Sequence, residues 1–255
     1  MKSVAVAIMC KTPAAGTSKT RLSPPLLPKE CATLSACFIR DLSQTIETLV
    51  QDGGVTGYAA YTPRGTEPAL KALLPVSFRL ALQSEGDFGV RLREATACLL
   101  DAGHAGAILV NSDSPTLPRS ILLAAVDAVQ SGDNIVLSPA LDGGYTLVGM
   151  SKLHQRVFED IPWSTSAVYS LTLERADEIG LPVFAVPGWY DVDDATSFDM
   201  LEGELLDGRP FSNDRDLESA AAAATSRFLQ ARRAALRQSS GECGTALPVS
   251  ASQGR

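Results

Sequence analysis

The stretch CKTPAAGTSKTRL, residues 10–22, gathers Lys11, Lys19 and Arg21 around Gly16, with Thr20 between the last two cations. A turn of small residues lets backbone N–H groups converge on an anion while lysine and arginine neutralise it, the usual way of cradling phosphate after a strand. Three cations suit a diphosphate or a triphosphate. The stretch does not follow the P-loop pattern, because Thr17 and Ser18 separate Gly16 from Lys19 and no glycine precedes them at the required spacing. It also lacks GxGxxG. The bland alternative is a solvated basic loop between core elements.

Carboxylates supply the complementary chemistry. In NSDSPTLP, residues 111–118, Asp113 follows a short apolar run, placing a carboxylate where it could hold Mg2+ or Mn2+ against phosphate oxygens. Asp113 or Ser114 could equally start the next helix as a cap. In WYDVDDATSFDML, residues 189–201, Asp191 and Asp193 are spaced to turn toward one cation, and Asp194 reads as the cap of the following helix. Carboxylates this close repel one another without a cation or strong solvation. LDGGYTLVGM, residues 141–150, offers Asp142 ahead of Gly143, Gly144 and Tyr145, and reads either as a hairpin turn or as a close backbone approach to a ligand. QSEGDFGVRL, residues 83–92, repeats that ambiguity with Gln83, Gly86 and Asp87, a turn that could read a base or a sugar. His104 and His154 have no metal-ligand partner at helical spacing, and neither reads as catalytic. Trp163 and Trp189 flank polar loops and fit a pocket wall or the core.

These groups need a frame that brings distant segments together. Apolar runs at 3–9, 55–61, 79–83, 106–110, 134–140, 144–150 and 182–188 predict strands. Helical spacing over 28–51, 89–103, 120–132 and 166–180, and a turn leading into a helix over 191–205, fills the gaps. Such alternation predicts an α/β fold: a Rossmann-like, mostly parallel sheet with helices on both faces. Ligands of such sheets sit at the carboxyl ends of the strands, where the polar motifs fall. Residues 1–206 read as one α/β domain, and 207–255 as a C-terminal tail, helical and then small, polar and disordered.

Composition narrows the partners. The chain of 255 residues carries a formal charge of −7, which argues against nucleic acid and against an anionic membrane surface and makes the local cluster of three cations stand out. Five cysteines (Cys10, Cys31, Cys37, Cys98 and Cys243) contain no CxxC, as expected for reduced thiols in a cytoplasmic protein. No apolar run is long enough to span a membrane.

Taken in order, KTPAAGTSKTRL, QSEGDFGVRL, NSDSPTLP, LDGGYTLVGM and DVDDATSFDML resemble a bacterial glycosyltransferase-A-like family, long catalogued as a domain of unknown function. Some of its members carry the label of arsenosugar-biosynthesis glycosyltransferase. The first motif is also similar to that of 2-phospho-lactate guanylyltransferase and, more distantly, molybdenum-cofactor guanylyltransferase. The resemblance covers residues 2–205 and implies the nucleotide-diphospho-sugar transferase (GT-A) fold, with a nucleotide and a divalent cation. It implies that Lys11, Gly16, Lys19 and Arg21 contact phosphates, that Asp113 holds the metal, and that Gly143, Gly144 and Tyr145 border the acceptor pocket. The family fold's usual DxD-type pair is Asn111-Ser112-Asp113 here, which shifts weight to Asp191 and Asp193 as metal ligands.

Three functions are compatible with these residues. A glycosyltransferase would use a nucleotide sugar, with Lys19 and Arg21 stabilising the leaving diphosphate and Asp142 as base toward a small-molecule acceptor. A nucleotidyltransferase would join a nucleoside triphosphate to a phosphorylated acceptor and release pyrophosphate, whose greater charge the three cations favour. A nucleotide-binding protein without catalysis is compatible with Asn111. The base, sugar, acceptor and oligomeric state are not encoded in any motif.

Overall fold

The computed structural model describes residues 2–242, with side chains through residue 238; Cys243 and the small polar end of the expected tail lie outside the described residues. The strands are β1 (Val4–Lys11), β2 (Val55–Thr62), β3 (Arg79–Leu82), β4 (Gly106–Asn111), β5 (Ile135–Pro139), β6 (Tyr145–Met150) and β7 (Val183–Ala185). The helices are α1 (Pro28–Asp52), α2 (Glu67–Lys71), α3 (Phe88–Asp101), α4 (Arg119–Gln130), α5 (Val168–Glu178), α6 (Ala195–Asp207) and α7 (Ala223–Glu242). The strands form one sheet in the order β3-β2-β1-β4-β6-β5-β7. All pairings are parallel except those of β6, which runs antiparallel to both β4 and β5.

The sheet is covered on both faces, as the near-continuous apolar strands require. Alternate residues of β1 show it: Val4, Val6, Ile8 and Cys10 join a core that includes Phe38 and Leu42 of α1 and Ile121 and Ala125 of α4. Ala5, Ala7 and Met9 face the other way, into a core with Leu92 and Leu99 of α3 and Val168 and Ala176 of α5. The Asp-Gly-Gly stretch is a hairpin turn, so β5 and β6 pair directly and β6 alone reverses direction. Strand β7 is shorter than the apolar run at 182–188, although the chain beyond it stays beside β5: Val186 N–H donates to the Leu137 carbonyl at 2.9 Å and Trp189 N–H to the Pro139 carbonyl at 3.1 Å.

Residues past 207 pack on this frame. The α1 carboxylate Asp41 accepts the backbone N–H groups of Ala224 at 2.8 Å and Thr225 at 2.7 Å, satisfying the first turn of α7. Arg232 of α7 donates to the Pro25 carbonyl at 3.1 Å and lies 3.6 Å from Glu30, 3.9 Å from Glu202 and 5.7 Å from the Phe198 ring centre. One guanidinium thus braces the end of the basic loop against α6, the helix that follows the three clustered aspartates.

Candidate active site

Strand order turns back between β1 and β4, so the loops after these two strands diverge and leave a crevice at their carboxyl ends. The loop after β1 enters it as a tight turn. Ala14 O accepts from the N–H of Thr17 at 3.2 Å and of Ser18 at 3.1 Å, and Ser18 Oγ accepts from Ala14 N–H at 3.0 Å. Those N–H groups are taken up inside the turn and do not converge on an anion, contrary to the sequence expectation, because Ser18 is buried and closes the loop on itself. Gly16, at φ 78°, makes the reversal.

Lys19 follows in a left-handed backbone conformation, φ 50°, which aims its side chain inward. Its ammonium lies 2.8 Å from Asp113, 3.1 Å from Asp193 and 2.6 Å from the Val192 carbonyl, with the Phe38 ring centre 5.4 Å away. Burial works against this charge, but the carboxylates of Asp113 and Asp193 outweigh it and raise the pKa, so Lys19 is held as a cation. The basic loop and the aspartates of two distant segments therefore meet. Lys11, Thr20 and Arg21 stay exposed.

Asp113 stands just past β4, and its carbonyl accepts from Val192 N–H at 2.9 Å, which docks the 191–194 segment onto the β4 loop. Asp191 is the most enclosed of the three acids. It accepts from the Ser114 hydroxyl and from the Asn111 amide at 3.3 Å, and Asn111 also donates to the Tyr145 carbonyl at 2.9 Å. The amide where the family pattern has an acid thus orients Asp191. Burial pushes the Asp191 carboxyl up to about 7, with the charges of Asp113 and Asp193 adding to it against the Ser114 hydrogen bond and Lys19. Asp194 turns away and caps α6, accepting from Ser197 N–H at 2.9 Å, as its place before the helix predicts.

The glycine turn forms the far wall. Asp142 is exposed and accepts from Gly144 N–H at 2.9 Å. Gly143 has φ 88°, and a Cβ there would come within 2.2 Å of the Ser166 carbonyl, so no larger residue fits. Tyr145 lends its backbone carbonyl to Asn111, while its ring is buried in the α3–α5 core and burial raises its phenol pKa.

Two chambers open from this point and share Asp142, Asp191 and Asp193. One, of about 370 Å³, is bounded by Arg21, Leu141 and the start of α6. The other, of about 140 Å³, is bounded by Asn111, Asp113, Gly144, Phe88 and Trp163. The β3 turn contributes differently from the expectation. Gln83 is buried, and its amide donates to the carbonyls of Cys10 at 3.1 Å and Ala60 at 2.7 Å, tying the ends of β1 and β2 together. Asp87 caps α3 through Val90 N–H at 2.9 Å, and Gly86, φ 119°, makes the bend before it. Neither Gln83 nor Gly86 borders the two chambers. Trp189 belongs to the core, its indole N–H donating to Thr116 at 3.1 Å. His104 bonds Ser3 and Tyr58, and His154 bonds Asp133, all away from the aspartates. Sequence reasoning did not single out Phe88; its position one residue inside a helix that opens on the crevice is the signal that could have found it.

Among the described residues no three His, Cys, Asp or Glu side chains are gathered as a preformed metal-binding group. Asp113 and Asp193 share the Lys19 ammonium instead. The donor set nevertheless fits a hard divalent cation: all the groups are carboxylate oxygens, and Asp191 suffers like-charge neighbours whose effect a cation would offset.

The sheet order with its single reversed strand is the fold of the nucleotide-diphospho-sugar transferase superfamily, whose members are transferases. A candidate nucleotide-diphospho-sugar transferase of Desulfovibrio desulfuricans G20 superposes with a TM-score of 0.78 at 28% identity, covering 93% of this chain and 98% of that one. The fold alone is shared with CMP:2-keto-3-deoxy-manno-octonic acid synthetase, solved with CTP, at a TM-score of 0.53 and 11% identity, over 81% of this chain and 99% of that one. It is shared likewise with 4-diphosphocytidyl-2C-methyl-D-erythritol synthase of Anaerococcus prevotii, at 0.52 and 11%, over 80% and 96%. Residues 45–165, just under half of the chain, match the family described as "Uncharacterized protein conserved in bacteria (DUF2064)". That span holds three of the five motifs behind the resemblance; the basic loop and the 191–201 segment lie outside it. No curated protein sequence matches the chain. Among the described residues no helix is long and apolar enough to cross a membrane.

Proposed function

We propose that this protein is a glycosyltransferase that uses a nucleotide-diphospho-sugar and a small-molecule acceptor. The observation that carries the reading is the meeting of Lys19 with Asp113 and Asp193 beside Asp191, between a chamber edged by Arg21 and a smaller one with an aromatic wall. Arg21, Lys11 and Thr20 are exposed at the crevice end of β1 and available to the diphosphate. Asp113, Asp191 and Asp193 would hold Mg2+ or Mn2+, which when bound supplies positive charge to a leaving diphosphate. The acceptor hydroxyl attacks the anomeric carbon, the bond from that carbon to the phosphate oxygen breaks, and the nucleoside diphosphate departs. Asp142 takes the hydroxyl proton: its Oδ1 is oriented by Gly144 N–H, and it borders both chambers. Gly143, Gly144 and Tyr145 form the acceptor side of the turn.

The nucleotidyl-transfer alternative drew on three free cations. Lys19 is committed to two carboxylates, leaving Lys11 and Arg21 for phosphate, which suits a nucleoside diphosphate leaving group better than pyrophosphate.

Phosphorus NMR of the full chain with nucleotide sugars, nucleoside triphosphates and Mn2+ separates the two. Slow release of nucleoside diphosphate from a nucleotide sugar, water serving as acceptor, is the expected result. Pyrophosphate from a triphosphate together with an inert nucleotide sugar would reverse the assignment, and no turnover of either would favour a protein that only binds nucleotide.

A further inference from the structure

The loop that closes the smaller chamber carries more order than a connection needs. Between the turn at Gln155–Phe158 and α5, two non-glycine residues stand at positive φ, Asp160 at 54° and Ser164 at 66°. Such outliers persist only where the surroundings fix them. Here the fixing contacts are visible. Arg156 donates to the Asp160 carboxylate at 2.6 Å, and the Thr165 hydroxyl donates to the Pro162 carbonyl at 2.8 Å. What lies between the two strained positions is Trp163.

Trp163 meets the Phe88 ring edge-on, centroids 5.3 Å apart and planes at 80°. Gly89 allows this approach: a Cβ there would lie 2.5 Å from the indole nitrogen. The indole is only half-buried and bounds the 140 Å³ chamber together with Asp142, Asp191 and Asp193. The combination is an aromatic side chain and carboxylates lining one space, far smaller than the 300–1,000 Å³ of sites that enclose a drug-sized ligand. A small ring with an apolar C–H face and a hydroxylated rim fits both walls: the indole takes the face, and Asp142 accepts from hydroxyls.

We infer that Trp163 is a specificity-determining residue whose indole stacks on the sugar ring of the donor, with Phe88 holding the indole in place. This rests on the proposed glycosyl transfer. It places the sugar against the Trp163 wall of the 140 Å³ chamber, leaves the Gly144–Tyr145 side of it to the acceptor, and gives the 370 Å³ chamber beside Arg21 to the nucleotide.

The test compares nucleoside diphosphates with their hexose conjugates (UDP with UDP-glucose, GDP with GDP-mannose) in the presence of Mn2+, by calorimetry and intrinsic fluorescence on the full chain. Trp189 is only 1% exposed, so a ligand-dependent change in emission reports Trp163. In the wild-type protein a hexose conjugate changes the emission and its parent diphosphate does not. Trp163→Ala weakens the conjugate about tenfold and leaves the parent diphosphate within about twofold, and Trp163→Phe, which keeps a ring against Phe88, retains most of the affinity. Unchanged affinity for the conjugate in Trp163→Ala, or equal weakening of conjugate and diphosphate, overturns the stacking role and leaves the transferase reading standing. Absence of binding by every nucleotide to the wild-type protein overturns both.

Discussion

Replacing Lys19 by methionine is expected to lower the unfolding free energy by about 2–3 kcal/mol and to abolish turnover. The methionine matches the length of the stem and keeps contact with Phe38, so the loss isolates the charge. Removing one partner of a fully buried ion pair costs about 3–5 kcal/mol, because the other charge is left uncompensated. Here the expected figure is smaller, because Asp113 and Asp193 are 32% and 45% exposed and water screens part of their repulsion. Urea unfolding of both proteins at equal pH measures the difference. A change below 0.5 kcal/mol, the ordinary size of a surface substitution, would mean that Lys19 does not hold the two segments together.

Asp191→Asn is expected to stabilise the protein at pH 8 while doing little at pH 4. The carboxyl of Asp191 is raised to about 7 from an ordinary 3.8. Below about pH 4 it is protonated in the folded and unfolded chain alike, and its contribution is at its most favourable. As the pH rises through the interval from about 4 to about 7, the unfolded chain gives up the proton and the folded chain keeps it, so stability falls, levelling off above 7. At 1.36 kcal/mol per pH unit the whole interval amounts to roughly 2–4 kcal/mol once partial hydration is allowed for. Asparagine avoids this loss and can still bond Ser114 and Asn111. Thermal unfolding from pH 4 to pH 8 should therefore show a variant whose advantage grows with pH. A constant difference across that range would show that Asp191 titrates normally and that its neighbours do not crowd it.

Much of the frame was legible because strong local patterns agreed with it. The apolar runs at 3–9, 55–61 and 106–110 became β1, β2 and β4 within about two residues at each end, and Asp194 capped α6 as its position before the helix foretold. The hairpin at Asp142-Gly143-Gly144 and the reversed β6 follow from turn chemistry that the sequence states directly. The site was legible as a set of residues but not as a set of partners. Lys19 read as a phosphate ligand because a lysine beside small residues usually is one; its left-handed backbone and the docking of Val192 on Asp113 turn it to the aspartates instead. Such long-range contacts leave no periodic trace. Gln83 read as a ligand-facing group, although only tertiary structure shows that its amide bridges two strand ends. The first turn of α7 is satisfied by one buried carboxylate, Asp41, in the middle of a helix whose pattern gives no reason to single it out.

The central claim is that the basic loop after β1 and the aspartates of β4 and the 191–193 segment act as one pocket for a nucleotide with a divalent cation. Calorimetric titration of nucleoside diphosphates, with and without Mn2+, into the wild-type protein and Asp113→Asn tests it most directly. The expected result is that Mn2+ strengthens wild-type binding at least tenfold and does nothing for the variant. Equal affinity in the two proteins, indifferent to Mn2+, would contradict it.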